Sequence, residues 1–292
     1  MQTLSVFCKT FVIKVLKVTF VLMKKLSAFI IITYCFCACG NAETDKQSTA
    51  ESPAGSSGEY LQTFAQQLEN FPDSTGLRLQ YAFALDSLNQ FKEALKQMDL
   101  LTGKDSANYG LWFAKGNIAE DAADTLLALK SYARAAHLYE SPDVLLALAN
   151  LYAEQKDNRS ILYCSRVKAL GLGREYDAHC AFITGVYYAR KHDMENAVKY
   201  FDECISYSYT YMEAYIEKGL LFFDAKQYDK ALSIFRFATT VNNLYADAYY
   251  YQARCYEMMN NKDSAVLFFK QSLQIDPTLK EADAHLKTLS PK

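Results

Sequence analysis

The sequence predicts an all-α chain of about six helix–turn–helix repeats with an additional helix on each side, on three observations. First, 51% of the 292 residues are hydrophobic and 22% are charged, which gives enough apolar surface for a sizeable core. Second, 5 Pro and 11 Gly are too few for a protein of many short strands and tight turns. Third, blocks spaced by 34 residues repeat the same residue types, and the apolar residues within each half-block recur at helical intervals.

Residues 1–38 differ from the rest of the chain and predict a targeting segment. They contain five Lys and no acidic residue. From Met23, two lysines precede an apolar run of 13 residues that ends at Ala38. That run is shorter than the ~20 residues that span a bilayer, so it matches a secretory signal. We expect the true start at Met23, and the alternative is an uncleaved N-terminal membrane anchor.

The end of this segment resembles a bacterial lipoprotein signal. Ala38 is a small residue at the position before cleavage and Cys39 is the residue to be lipidated, although Phe36 and Cys37 depart from the usual pattern. The small, polar residues 39–58 predict a flexible tether, and its acids resemble those of Bacteroidetes-type envelope lipoproteins. The resemblance implies a protein of the bacterial cell envelope, anchored to the outer membrane on its periplasmic or surface face.

The repeats are clearest in three blocks that begin at Ala178, Met212 and Ala246, 34 residues apart. Each block has a small residue at its eighth and twentieth places and an aromatic residue at its eleventh and twenty-fourth. These residues are Gly185, Gly219, Ala253, Ala197, Ala231, Ala265, Tyr188, Phe222, Tyr256, Phe201, Phe235 and Phe269. Small residues let two antiparallel helices approach closely, and the aromatic rings fill the space towards the next helix.

The same columns continue upstream in blocks that begin at Thr75, Tyr109 and Pro142, with an irregular step that residues 170–177 absorb. This pattern resembles the tetratricopeptide repeat over six units, residues 75–277. The resemblance implies an α-α superhelix, a solenoid with a continuous core. It also implies a flanking helix in 59–74 and a capping helix in 278–292.

In this family the concave face is lined mainly by first helices, at places 2, 5, 9 and 12 of each unit. These columns predict an apolar and aromatic groove, edged by acids, that binds an amphipathic helix or an extended peptide with bulky side chains and Lys or Arg. No Lys stands at place 5, unlike the version of the family that clamps a peptide carboxylate with Lys and Asn. The predicted groove residues are Leu79, Phe83, Phe113, Asn117, Leu146, Asn150, Phe182, Val186, Ile216, Leu220, Phe223, Tyr250 and Arg254. The alternative is that some of them only pack within a tightly curved superhelix.

The sequence contains no signal for nucleic-acid binding, for metal or cofactor binding, or for catalysis. A net charge of −2 and a pI of about 6.1 exclude the basic footprint of a nucleic-acid-binding protein. The four His are far apart, and no CxxC, HExxH or phosphate-binding Gly-rich loop occurs, so we expect no metal, no cofactor and no enzymatic activity. Cys180 and Cys204 stand at places that approach each other across a helix pair. A disulfide between them is therefore an alternative to the default interpretation, in which both are buried free thiols.

The sequence therefore predicts a lipid-anchored envelope adaptor that binds a peptide or protein in its groove as a scaffold for an envelope assembly. Two alternatives stand beside this interpretation. One is a structural spacer that uses its ends or its convex face, and the other is a carrier of a small apolar ligand.

Overall fold

The structure, a computed structural model, describes residues 57–289, which form fourteen helices and no strand. The helices are α1 (Ser57–Asn70), α2 (Thr75–Ser87), α3 (Phe91–Lys104), α4 (Tyr109–Asp121), α5 (Thr125–Leu138), α6 (Pro142–Glu154), α7 (Arg159–Ala169), α8 (Arg174–Arg190), α9 (Met194–Tyr207), α10 (Met212–Asp224), α11 (Tyr228–Val241), α12 (Ala246–Met258), α13 (Lys262–Ile275) and α14 (Lys280–Leu289). The prediction of an all-α repeat fold is confirmed.

The N-terminal predictions cannot be compared with this structure. The signal segment 1–38, the lipidation candidate Cys39 and the tether up to residue 56 lie outside the described residues. Within residues 57–289, no helix is both long enough and apolar enough to cross a bilayer.

Helices α2 to α13 follow one another as six pairs of a first and a second helix, and each first helix ends in the same turn. The residue at place 15 has a left-handed backbone in every pair, with φ between 58° and 62°. These residues are Asn89, Ala123, Lys156, His192, Lys226 and Asn260. In the second pair, for example, the N–H of Asp124 donates to the Ala119 carbonyl and that of Ala123 to the Glu120 carbonyl, both at 2.9 Å. This is the Schellman arrangement, which satisfies carbonyl groups that the helix end leaves without partners.

The irregular step predicted from the sequence falls between α7 and α8. Helix α7 has 11 residues and ends at Ala169, whereas α8 has 17 residues and begins at Arg174, four residues before place 1 of its repeat. Gly171 and Gly173, between the helices, have φ values of 62° and 98°. Glycine suits both positions because side chains with a Cβ avoid this region.

The chain divides into two compact units, the first ending at Ser131 and the second beginning at Tyr132. The first unit has one core cluster, with Leu85, Met98 and Leu101 almost fully buried. The second unit has two clusters, which include the fully buried rings of Phe201 and Phe235. Each unit therefore has its own apolar core.

Two glycines of the second unit show why place 8 needs a small residue. A Cβ built on Gly185 would lie 2.7 Å from the Phe201 ring, and one built on Gly219 would lie 2.3 Å from the Phe235 ring. Each ring stands at place 24 of the repeat that contains its glycine, and each is fully buried. The aromatic ring of the second helix therefore occupies the space that a side chain of the first helix would need.

Candidate partner-binding face

In the first unit, the predicted groove residues remain partly accessible. Phe83 is 38% exposed, and Leu79, Phe113 and Asn117 are half-buried. The Phe113 ring stacks on the Tyr109 ring one turn earlier in α4, with centroids 6.2 Å apart. These side chains lie on the first helices α2 and α4, as the register predicts.

In the second unit, six of the predicted groove residues belong to the core, and their interpretation as partner contacts needs correction. They are Leu146, Asn150, Phe182, Val186, Ile216 and Tyr250, each at most 6% exposed. The reason is packing across the repeat. The Phe182 ring lies 5.9 Å from the Phe201 ring, and the Tyr250 ring lies 5.7 Å from the Phe269 ring. For these residues the packing alternative describes the structure.

The other predicted residues of the second unit stay half-buried, namely Leu220, Phe223 and Arg254. The Arg254 guanidinium lies 5.7 Å from the centroid of the Phe223 ring, a cation–π contact between α12 and α10. Arg254 also donates to the Tyr250 hydroxyl at 3.2 Å and lies 3.1 Å from a Glu257 carboxylate oxygen. Phe223 and Arg254 thus meet at one surface.

An ion-pair network connects three successive first helices of this unit. Arg190 of α8 donates from Nε and Nη2 to the two carboxylate oxygens of Glu154 of α6, at 2.9 and 3.0 Å. Its Nη1 lies 3.5 Å from Glu217 of α10. One guanidinium therefore serves two carboxylates, and the bidentate geometry is the strong form of this contact.

A further carboxylate lies near the network. Burial raises the pKa of Asp224, at the end of α10, and the nearby charge of Glu217 raises it further. We call the surface formed by Glu154, Arg190, Glu217, Leu220, Phe223 and Asp224 the first-helix face. It combines apolar side chains with more carboxylates than cations.

A second charged cluster lies at the C-terminal end of the unit. His285 of α14 has its Nδ1 3.0 Å from a Glu257 carboxylate oxygen of α12, and its ring stacks on Phe269 at 5.3 Å. Since Glu257 also pairs with Arg254, these contacts tie the last helix to the last complete repeat.

Two residues at place 2, which the sequence assigns to the groove lining, each contact a tyrosine instead. The Nδ1 of His179 lies 3.0 Å from the Tyr211 hydroxyl, and the Tyr245 hydroxyl donates to Glu213 at 3.4 Å. Burial lowers the pKa of His179 and raises the pKa of Glu213, because each charged form loses solvation. Each contact links place 2 of a first helix to the residue that directly precedes the next first helix.

The predicted groove columns do not include Glu154, Arg190 and Asp224, which stand at place 13, or Glu217 at place 6. One signal was available for the place 13 residues. Place 13 lies four residues after place 9, so the two places share one side of a helix. The column contains Glu154, Arg190 and Asp224 in successive repeats, a charged series on the groove side.

The Oδ1 of Asn150 is one of several buried side-chain atoms that have no hydrogen-bond partner in the described structure. Asn150 is 3% exposed and lies one turn before Glu154 in α6. Buried carbonyl oxygens normally accept a hydrogen bond, so this atom has unused acceptor capacity.

The four cysteines of the described residues, Cys164, Cys180, Cys204 and Cys255, are free and buried. The neighbour of the Cys180 thiol is Cys164, whose carbonyl oxygen lies 3.5 Å from the Cys180 Sγ. Cys180 and Cys204, whose pairing the sequence left open, are not bonded. Among the residues that the structure describes, no group of His, Cys, Asp and Glu has the arrangement of a metal site.

Comparisons with known proteins agree with this architecture. A family model described as tetratricopeptide repeat matches residues 246–279. No curated protein sequence matches the chain. Residues 246–279 are therefore a tetratricopeptide repeat.

Several solved structures share the fold. A tetratricopeptide repeat protein from Parabacteroides merdae has a TM-score of 0.66 at 13% identity, covering 80% of this chain and 92% of that one. PilW, described as a type IV pilus biogenesis factor, has a TM-score of 0.56 at 16% identity, covering 73% and 98%. PilF of Pseudomonas aeruginosa has a TM-score of 0.51 at 14% identity, covering 73% and 97%. At these identities the likeness shows the fold, which is that of tetratricopeptide-repeat proteins.

Proposed function

We propose that this tetratricopeptide-repeat protein is a lipid-anchored adaptor of a bacterial envelope, which recruits a peptide or protein partner through the first-helix face of its second unit. The fold is typical of scaffolds for protein–protein interaction. The observation that supports this face most directly is the network of Glu154, Arg190 and Glu217, because it spans three repeats and its Glu217 shares α10 with the half-buried Leu220 and Phe223. No catalytic role is proposed.

The composition of the face favours a partner with bulky apolar side chains and a Lys or Arg. Two carboxylates share the single Arg190 guanidinium, and Asp224 adds a third acid nearby. This excess of negative charge would attract a Lys or Arg of the partner, and apolar side chains of the partner would pack against Leu220 and Phe223.

A photocrosslinking experiment in the native cells tests the location of the face. A benzoylphenylalanine replaces Phe223 in one variant and Phe237 in another; Phe237 is 56% exposed on the second helix α11. We expect a specific crosslinked partner from position 223 and none from position 237. A partner captured only from position 237 would support the spacer alternative, which uses the convex face.

A pair of charge reversals tests the electrostatic preference. Asp224→Lys places a cation beside the network, whereas Asp229→Lys makes the same change at an exposed position of α11. We expect the first variant to lose partner capture and the second to retain it, both with unchanged helical content. Equal capture by both variants would refute the preference for a basic partner.

The anchor has a separate test. Cys39→Ala should release the protein from membranes, because lipidation needs that thiol. Continued membrane association of this variant would favour the uncleaved N-terminal helix. Native mass spectrometry distinguishes the adaptor from a carrier of a small apolar ligand. A retained adduct of the size of a lipid would favour the carrier.

A further inference from the structure

Two buried cysteines of neighbouring helices are in direct contact. Cys164 of α7 is 3% exposed and Cys180 of α8 is fully buried. The Cys180 thiol donates to the backbone carbonyl of Cys164, with Sγ and O 3.5 Å apart. Both side chains belong to the same core cluster, so they are held together by the packing of α7 on α8.

The chain between these cysteines is the least regular part of the repeats. Helix α7 has 11 residues, whereas the second helices α3, α9, α11 and α13 have 14 each. The connection to α8 is exposed and includes Gly171 and Gly173, both with positive φ. A short helix beside a glycine-containing connection opens locally at lower free energy than a full-length helix in the array. Access of a small reagent to the two buried thiols requires such an opening.

We propose that Cys164 and Cys180 are a redox-responsive pair, which a low-molecular-weight disulfide such as oxidised glutathione converts to an internal disulfide. The Cys180 thiolate attacks one sulfur of the reagent, forms a mixed disulfide and releases the first reagent thiolate. Cys164 then loses its proton, attacks the Cys180 sulfur and expels the second reagent thiolate. Two protein thiols are oxidised, the reagent disulfide is reduced to two thiols, and the two protons pass to the departing thiolates.

The order of attack follows from the surroundings of the two thiols. The neighbouring Cys164 side chain lowers the pKa of Cys180, and the nearby Lys168 lowers it further. The Cys180 side chain together with burial raises the pKa of Cys164. Burial also raises the pKa of Cys204, and that of Cys255 to about 12. Cys180 therefore has the largest thiolate fraction of the four, which makes it the attacking group.

The test exposes the full-length folded protein to a series of glutathione redox buffers, blocks the remaining thiols with N-ethylmaleimide and maps the peptides by mass spectrometry. We expect a linked peptide that joins Cys164 to Cys180, lighter than its two parts by two hydrogen atoms, with Cys204 and Cys255 alkylated. The bond closes a loop between residues 16 apart, so oxidation should raise the melting temperature by about 6–12 °C, reversibly with dithiothreitol.

Single variants provide the controls. Cys164→Ser should leave a stable mixed disulfide of glutathione on Cys180, whereas Cys255→Ser should still form the linked peptide. The proposal is overturned if all four thiols remain reduced at the most oxidising buffer. It is also overturned if Cys180 links to Cys204, or if the Cys164–Cys180 link appears only in protein unfolded with urea.

Discussion

Replacing Gly219 by Ala should destabilise the protein by about 2 kcal/mol, although Ala is the better helix former. The new Cβ would lie 2.3, 2.5 and 2.9 Å from three atoms of the Phe235 ring. That ring is fully buried, so it has no free space to move into. Overpacking of this kind costs about 1–3 kcal/mol, and contacts this short belong at the upper end. Since Ala gains about 1 kcal/mol over Gly in a helix interior, the net loss is about 2 kcal/mol.

The assay is thermal unfolding followed by far-ultraviolet circular dichroism. For a chain of this size about 1 kcal/mol corresponds to a shift of about 2–4 °C, so the melting temperature should fall by about 4–8 °C. The matched control is Gly103→Ala in α3, where no atom lies within 4 Å of the added Cβ and the melting temperature should rise slightly. If Gly219→Ala behaved like Gly103→Ala, the argument from close approach would be refuted.

A second-site change distinguishes a clash with the ring from any other effect of the substitution. Phe235→Leu leaves space beside α10 and is destabilising on its own, because it removes a buried aromatic side chain. In the double variant the Ala methyl occupies part of that space. We expect the double variant to lose less stability than the sum of the two single losses, by about 1–2 kcal/mol. Additive losses would show that the two residues do not interact.

Three further predictions concern the turns, a buried carboxyl and the ion-pair network. Ala123→Gly should raise stability by about 1 kcal/mol because Ala123 has a φ of 58°, whereas Ala122→Gly, at a φ of −72°, should not; urea midpoints compare the two. Burial raises the pKa of Glu213, so ionising it in the folded state costs stability as the pH rises above the usual carboxyl pKa. The melting-temperature advantage of Glu213→Gln over the unmodified protein should therefore be larger at about pH 8 than at about pH 4, and a constant difference would contradict it. Arg190→Ala leaves two partly buried carboxylates without their cation and should cost about 2–3 kcal/mol, against less than about 0.5 kcal/mol for Lys96→Ala in an exposed pair, both measured by urea unfolding.

The repeat architecture could be predicted from the sequence because its determinants lie within each repeat. A small residue such as Gly219 and an aromatic residue such as Phe235 stand a fixed distance apart in one hairpin, and the pair recurs with the period of the fold. The structure shows the contact that this spacing requires. Because this contact lies within one repeat and recurs in others, it leaves a sequence pattern that can be recognised without knowing how neighbouring repeats pack.

Only part of the proposed first-helix face could be predicted, because the repeat register gives the side of the helix on which a residue lies but not how deeply it is buried. Place 5 was assigned to the groove, yet Phe182 and Ile216 at that place are buried in the second unit. How deeply such a side chain lies depends on the ring at place 24 and on the next helix, which no single repeat specifies. The Arg190 network was missed for a related reason, since its partners lie 36 and 27 residues away, in the two neighbouring repeats.

At the six left-handed turns, the hydrogen bonds and helix packing of the repeats override the backbone preference of the single residue. None of the residues at place 15 is Gly, although Gly is the usual residue at this position and a side chain there costs about 1–2 kcal/mol. Two backbone hydrogen bonds close each turn, and the same geometry recurs with φ near 60° whether the residue is Asn89, Ala123 or Lys156. The conformation is therefore set by the hydrogen bonds and by the packing of the two helices, and the residue type only changes its free energy. Gly should therefore be stabilising at Ala123, Lys156, His192 and Lys226, and less so at Asn89 and Asn260, because Asn also adopts this region. Polar breaks such as residues 191–193 predict the turns from the sequence, but without a Gly they do not show which residue is left-handed.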